Sequence, residues 1–265
     1  MNKKNIVLFD MDGTLTEARG KFETELMLDL RQLSQYADIG ILTGSDFGYV
    51  NEQMEKLIKF SELRFVTHLL PCNGTKYYAP PNSSSEEYRL VHSNDMAKEL
   101  SDVCLREIFK ITTQCQHDVC YQSIPLTGHF INYRGSMINW CPIGRNAHSD
   151  QRKAFIEYDK EHNLRKRLLS KLQIKIDRFC PGKVAVKLGG DTSFDIYPQG
   201  WDKTYALRHF KKQTAWFVGD RCDPSGNDFE IYKQLVELNR AFKTTDPLYT
   251  GAIIREELIP RLKHS

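Results

Sequence analysis

The 265-residue sequence has no apolar run approaching the ~20 residues that a membrane-spanning helix needs. It has no excess of one charge: 37 Lys and Arg stand against 34 Asp and Glu, a formal net charge of +3. That balance speaks against nucleic acid or a membrane surface as partner. Its seven cysteines, at 72, 104, 115, 120, 141, 180 and 222, include no C-x-x-C pair, so zinc-type spacing is absent. Their odd number, in so long a chain, is not the disulfide framework of a small secreted domain. They are expected to be reduced and mostly packed. The apolar stretch Ile6–Phe9 is too short for a signal peptide's h-region, and a cytoplasmic chain is expected. There is no internal repeat, and low complexity is confined to one short segment near residue 80.

What is there is a globular composition, 40% hydrophobic and 27% charged, sufficient for one large domain or two smaller ones. Residues 5–9 read as a buried strand, 23–36 as a helix, 39–42 as a second strand, 46–60 as a helix and 65–70 as a third strand. Strands alternating with helices over short links imply βαβ units and a parallel sheet. Ala79-Pro80-Pro81-Asn82-Ser83-Ser84-Ser85 reads as a linker. Beyond it the rhythm changes: a helix over 94–116, a hairpin over 128–143 turning at Arg134-Gly135-Ser136, a long charged helix over 149–171 and strand pattern over 183–198. After Pro198 the α/β rhythm resumes, with a short helix near 202–211 and a buried strand over 215–218. The fold class expected is α/β, a Rossmann-like parallel-sheet core (1–83 and 199–265) with an inserted α+β domain (84–198).

The chemistry starts directly after the first strand, in Phe9-Asp10-Met11-Asp12-Gly13-Thr14-Leu15-Thr16. Ligands of a parallel sheet bind beyond the carboxyl ends of its strands. There Asp10 can attack phosphorus as a carboxylate nucleophile. Asp12 can protonate a leaving oxygen and later deprotonate the next nucleophile. Gly13 lets the backbone approach a phosphate. Thr43-Gly44-Ser45-Asp46 follows the second strand and offers two hydroxyls, Thr43 and Ser45, to a phosphoryl oxygen. Lys203 supplies a cation, while Gly219-Asp220 and then Gly226-Asn227-Asp228 supply carboxylates for a hard cation such as magnesium. Cys222 lies in this last loop and is the thiol to watch for oxidation.

These four segments, in this order, resemble the motifs of the haloacid dehalogenase superfamily, with the insertion matching its large C2-type cap. Within it the sequence is similar to the eukaryotic-type phosphomannomutase family. The strings that carry the likeness are FDMDGTLTEAR (9–19), GSDF (44–47), INYRGSMINWCPIGR (131–145), SFDIYPQGWDK (193–203) and FVGDRCDPSGNDFEI (217–231). The resemblance implies Asp10 as phosphorylated nucleophile, Asp12 as general acid/base, and Ser45 and Lys203 as further catalytic groups. It implies magnesium held by Asp10, the Asp12 carbonyl and Asp220, and phosphosugar binding by Arg19, Arg134, Arg145, Arg152, Ser193 and Asp195. The bottom-up reading of those arginines agrees, because Arg binds phosphate bidentately and stays charged.

The sequence also departs from the family. Cys72-Asn73-Gly74 stands where many members have Glu-Asn-Gly, and Ser225-Gly226-Asn227-Asp228 where many have Gly-Gly-Asn-Asp. At the family's second cation site, beyond that loop, this sequence has Tyr232, Gln234 and Glu237. The implied activity is interconversion of mannose 6-phosphate and mannose 1-phosphate, with a hexose 1,6-bisphosphate as activator and intermediate, for nucleotide-sugar synthesis by a homodimer. A sugar-phosphate phosphatase would use the same core motifs and differ only in giving the phosphoryl group to water.

Overall fold

The computed structural model describes residues 3–263. Its strands in chain order are β1 (Asn5–Phe9), β2 (Ala37–Leu42), β3 (Thr67–Leu70), β4 (Lys76–Ala79), β5 (Arg89–Ser93), β6 (Ile131–Tyr133), β7 (Ile138–Trp140), β8 (Val184–Gly189), β9 (Ser193–Pro198), β10 (Thr214–Gly219) and β11 (Ala241–Lys243). The chain divides into two compact units, Met1–Ser93 with Trp201–Ser265, and Asn94–Gly200.

The first unit is built on a seven-stranded sheet in the order β11-β10-β1-β2-β3-β4-β5. The strands from β11 to β3 run parallel, and β4 and β5 are antiparallel additions. Every residue of β1, β2 and β3 is buried, as a parallel sheet covered on both faces requires. Side chains alternate between the faces. Val7, Phe9, Ile39, Ile41, Leu69 and Val218 join one apolar cluster. Ile6, Leu8, Leu42, Leu70 and Phe217 join the other. The carboxyl ends of the neighbouring strands β10, β1 and β2 therefore emerge side by side, carrying Asp220, Asp10 and Thr43.

The second unit has a four-stranded antiparallel sheet in the order β6-β7-β9-β8. Directly opposed residues share a face. Asn132, Asn139, Asp195 and Lys187 form one polar row across the four strands. Their neighbours Ile131, Trp140, Phe194 and Leu188 form an apolar row on the other face.

Several expectations need correction. The second unit starts at Asn94, not at 84, and ends at Gly200. The stretch 79–85 is part of the β4–β5 connection rather than an interdomain linker, because β5 pairs with β4 and belongs to the core sheet. The helix over 94–116 is two, Met96–Glu99 and Asp102–Val119, the second capped by Ser101. The long helix over 149–171 is also two, Ser149–His162 and Leu164–Asp177, broken where Asn163 adopts φ 50°. Cys104 and Cys180 form a disulfide within the second unit, against the expectation that all cysteines are reduced. Their flanking elements meet in space although the sulfurs are 76 residues apart in sequence. Cys222 is buried, and burial first, then Asp228, pushes its thiol well up. A thiol held protonated is a poor nucleophile, so burial works against oxidation at Cys222.

Candidate active site

Asp10 leaves β1 buried, its amide donating to the Val218 carbonyl of β10 at 2.9 Å. Lys203, in the 3-10 helix Lys203–Phe210, is fully buried. Its Nζ donates to Asp10 Oδ1 and to Asp228 Oδ1, each at 2.5 Å. Burial works to lower the Lys203 pKa, but Asp10 and Asp228 overcome it and hold the ammonium charged. Burial pushes the Asp10 carboxyl up, opposed by Lys203. Asp220 is pushed up by burial and then by Asp228.

Asp10, Asp220 and Asp228 each offer an oxygen within 4.8 Å of the others. Three carboxylates and one ammonium carry a net charge of −2, which a divalent cation would neutralise. Asp220 Oδ1 and Asn227 Oδ1 are buried and accept no hydrogen bond among the described residues. Unsatisfied buried oxygens beside an acidic cluster suit a hard cation. Two glycines make the cluster possible. A Cβ on Gly13, whose φ is +84°, would lie 2.5 Å from Asp220 Oδ2; one on Gly219 would lie 2.5 Å from Asp228 Oδ2.

Asp12 is half-buried and apart from that cluster. Its Oδ1 accepts from the Arg19 amide at 2.7 Å and from the Tyr49 hydroxyl at 3.2 Å. Arg19 donates from a left-handed conformation, φ 60°, which disfavours a residue with a Cβ by roughly 1–2 kcal/mol. The Thr43-Gly44-Ser45 loop is fixed by Asn73, whose amide donates to the Thr43 carbonyl at 2.8 Å. Thr43 is buried and its Oγ1 accepts from the Ser45 amide at 3.1 Å. The half-buried Ser45 hydroxyl makes no hydrogen bond among the described residues and is the freer of the two.

In the second unit Asp195 is buried on β9 and accepts from Asn139 Nδ2 at 2.8 Å. Asn139 Oδ1 in turn accepts from Arg145 Nη1 at 2.9 Å. Ser193, on the same face as Asp195, donates to the Gly189 carbonyl at 2.5 Å. Arg134 is buried at the β6–β7 turn against Met137. Arg152 is half-buried in the first turn of helix Ser149–His162.

The first unit thus brings Asp10, Lys203 and Asp220 together and adds Asp228, which the metal set drawn from the resemblance omits. The string Gly226-Asn227-Asp228 was its signal. Asn139 is the other addition, and its signal was the apolar–polar–apolar alternation of Ile138-Asn139-Trp140.

Residues 26–259 match the family described as eukaryotic phosphomannomutase. The phosphomannomutase of Encephalitozoon cuniculi is 35% identical over 235 residues, 87% of this chain and 85% of that protein. The phosphomannomutase of Arabidopsis thaliana is 32% identical over 249 residues, 91% of this chain and 92% of that protein. The chain belongs to the eukaryotic phosphomannomutase family. It is an enzyme of that type. The Plasmodium falciparum IMP-nucleotidase structure matches with a TM-score of 0.64 at 15% identity, covering 98% of this chain and 67% of that one. An Aspergillus fumigatus trehalose-6-phosphate phosphatase matches with a TM-score of 0.50 at 15% identity, covering 99% and 94%. At 15% identity these two show a likeness of fold alone.

Proposed function

We propose that this phosphomannomutase family member interconverts mannose 6-phosphate and mannose 1-phosphate through an aspartyl-phosphate on Asp10 and a hexose 1,6-bisphosphate intermediate. The observation that carries the reading is the buried Lys203, which holds Asp10 at the tip of β1 beside Asp220 and Asp228. A buried carboxylate fixed by a lysine at a strand tip is built for attack rather than for solvation.

In the forward transfer an Asp10 oxygen forms a bond to phosphorus as the sugar oxygen leaves, taking a proton from Asp12. In the return, Asp12 takes the proton of the accepting sugar hydroxyl while the phosphoryl group passes from Asp10 to that oxygen. The Ser45 hydroxyl is free to hold a phosphoryl oxygen, and Lys203 keeps Asp10 in place. Magnesium, held by Asp10, Asp220 and the Asp12 carbonyl, with Asp228 adjoining, would supply charge neutralisation for the transferring phosphoryl group. Arg19, Arg134, Arg145, Arg152, Ser193 and Asp195 are assigned to the phosphosugar. Arg145 and Asp195, tied together by Asn139, would take the non-reacting phosphate and a sugar hydroxyl respectively. Under this reading the enzyme works on free phosphosugars in the cytoplasm, as a homodimer, and its product serves GDP-mannose synthesis.

The test is incubation with mannose 1-phosphate and magnesium, with and without glucose 1,6-bisphosphate, following both isomerisation and free phosphate. Isomerisation that requires the bisphosphate supports the reading. Phosphate release without isomerisation overturns it in favour of a sugar-phosphate phosphatase.

A further inference from the structure

Asp12 has two oxygens in different circumstances. Oδ1 takes both of its hydrogen bonds, from the Arg19 amide and the Tyr49 hydroxyl. Oδ2 accepts none among the described residues. Tyr49 is itself anchored. It lies in the first turn of helix Phe47–Gln53, and its amide donates to the N-cap Asp46 at 2.9 Å. Asp46 follows directly on the Thr43-Gly44-Ser45 loop. One side chain therefore joins the loop after β2 to the second aspartate of the loop after β1.

We propose that Tyr49 is a positioning residue for Asp12: its hydroxyl pins Oδ1, so that Oδ2 alone is presented to the reacting sugar oxygen. The inference rests on the reading of Asp12 as the acid/base. In the forward transfer the Asp10–phosphorus bond forms, the phosphorus–sugar oxygen bond breaks, and the proton on Asp12 Oδ2 goes to the sugar oxygen. In the reverse transfer the hydroxyl proton returns to Oδ2. Tyr49 keeps its own proton throughout and donates to Oδ1 in both states. A carboxyl held by one oxygen has its other oxygen fixed in direction, which proton transfer requires before it requires a matched acidity. The Arg19 amide alone leaves the carboxyl plane free to turn about that single bond.

The leaving group separates this role from a structural one. A sugar oxygen leaves as a strong base and needs the proton. Para-nitrophenolate leaves as a weak base and does not. Tyr49→Phe removes only the hydroxyl. It is expected to lower kcat for mannose 1-phosphate isomerisation about tenfold or more, as loss of a hydrogen bond to a charged group does. KM should stay within about twofold, since binding is untouched. Release of para-nitrophenolate with enzyme in excess, which reports transfer to Asp10 alone, should stay within about twofold of wild type. Parallel losses on both substrates, or no loss on the sugar phosphate, would overturn the inference. Asp12→Asn tests the underlying reading separately. If it keeps isomerisation, the acid/base assignment fails. If it loses isomerisation while Tyr49→Phe does not, only the Tyr49 assignment fails.

Discussion

Replacing Lys203 by Met keeps an unbranched stem and removes the ammonium. That ammonium sits 2.5 Å from Asp10 Oδ1 and 2.5 Å from Asp228 Oδ1, with side-chain exposures of 0% for Lys203, 6% for Asp10 and 0% for Asp228. No solvent is at hand to replace it. Breaking a buried ion pair by removing one partner typically costs about 3–5 kcal/mol. Two carboxylates share this lysine, so the upper part of that range is expected. Against a whole-domain stability of about 5–15 kcal/mol, the variant would stand near the folding threshold. The deficit must also depend on pH, with a definite sign. Burial raises the Asp10 carboxyl above its ordinary 3.8, and Lys203 is the first influence opposing that rise. A group whose folded pKa lies above its unfolded value contributes stability that is present below the unfolded pKa and lost as pH rises through the folded one. Without the lysine Asp10 moves further up, so the deficit is largest at neutral and alkaline pH. It shrinks on acidification, as one carboxyl takes a proton. The assay is urea unfolding of wild type and Lys203→Met at pH 5, 6, 7 and 8 with divalent cations chelated. A deficit under about 1 kcal/mol at pH 7, or one constant across the series, would refute the reasoning. Magnesium should narrow the gap, because without the ammonium the cluster carries −3 rather than −2 for the cation to neutralise.

Asp10→Asn is expected to abolish isomerisation, since an amide is a poor nucleophile; more than a few per cent of wild-type activity in purified protein would remove Asp10 from that role. Asp220→Asn should weaken magnesium binding, read by calorimetry, by at least about tenfold, because even residues behind a metal's direct ligands are worth that much. Arg145→Ala should cripple mannose 1-phosphate turnover and spare para-nitrophenyl phosphate, as a charge-assisted contact to phosphate typically contributes about 2–5 kcal/mol; equal loss on both would mark misfolding. The double variant Cys104→Ala/Cys180→Ala should lower stability in urea by about 4–5 kcal/mol, the loop-entropy value for a 76-residue separation; unchanged unfolding with and without the bond would show that it constrains nothing.

The sites legible in the sequence are those where one strand carries its own signal. β1 and β10 contain the unbroken apolar runs Ile6–Phe9 and Ala215–Val218, and each strand is followed at once by its aspartate, so both the strand and the chemistry at its tip can be read locally. β5 gives no such signal. In Arg89-Leu90-Val91-His92-Ser93 four of five residues are exposed, because this antiparallel edge strand buries neither face, and its neighbour Pro80-Pro81 looks like a break. Hence residues 84–93 read as belonging to the insertion, although Arg89–Ser93 pair with β4. β11 is three residues long, too short for any periodicity to show.

The contacts that define the site's electrostatics are of a different kind. Lys203 reaches Asp10 across 193 residues and Asp228 across 25, Tyr49 reaches Asp12 across 37, and Asn139 reaches Asp195 across 56. No spacing rule links such pairs, since each depends on where two separate strands or turns end. The parallel sheet makes these meetings predictable in one respect. Strands of one direction must deliver their carboxyl-terminal loops to one edge, so once β10, β1 and β2 are known to be neighbours, Asp220, Asp10 and the Thr43–Ser45 loop have to meet. What the order of strands cannot say is which oxygen of a carboxylate is held and which is free. For Asp12 that division depends on a tyrosine hydroxyl in the first turn of a helix, a place where the sequence offers only an aromatic residue among others. A phenylalanine there would give the same hydrophobic pattern without the hydrogen bond, so the distinction that matters for proton transfer rests on one oxygen atom.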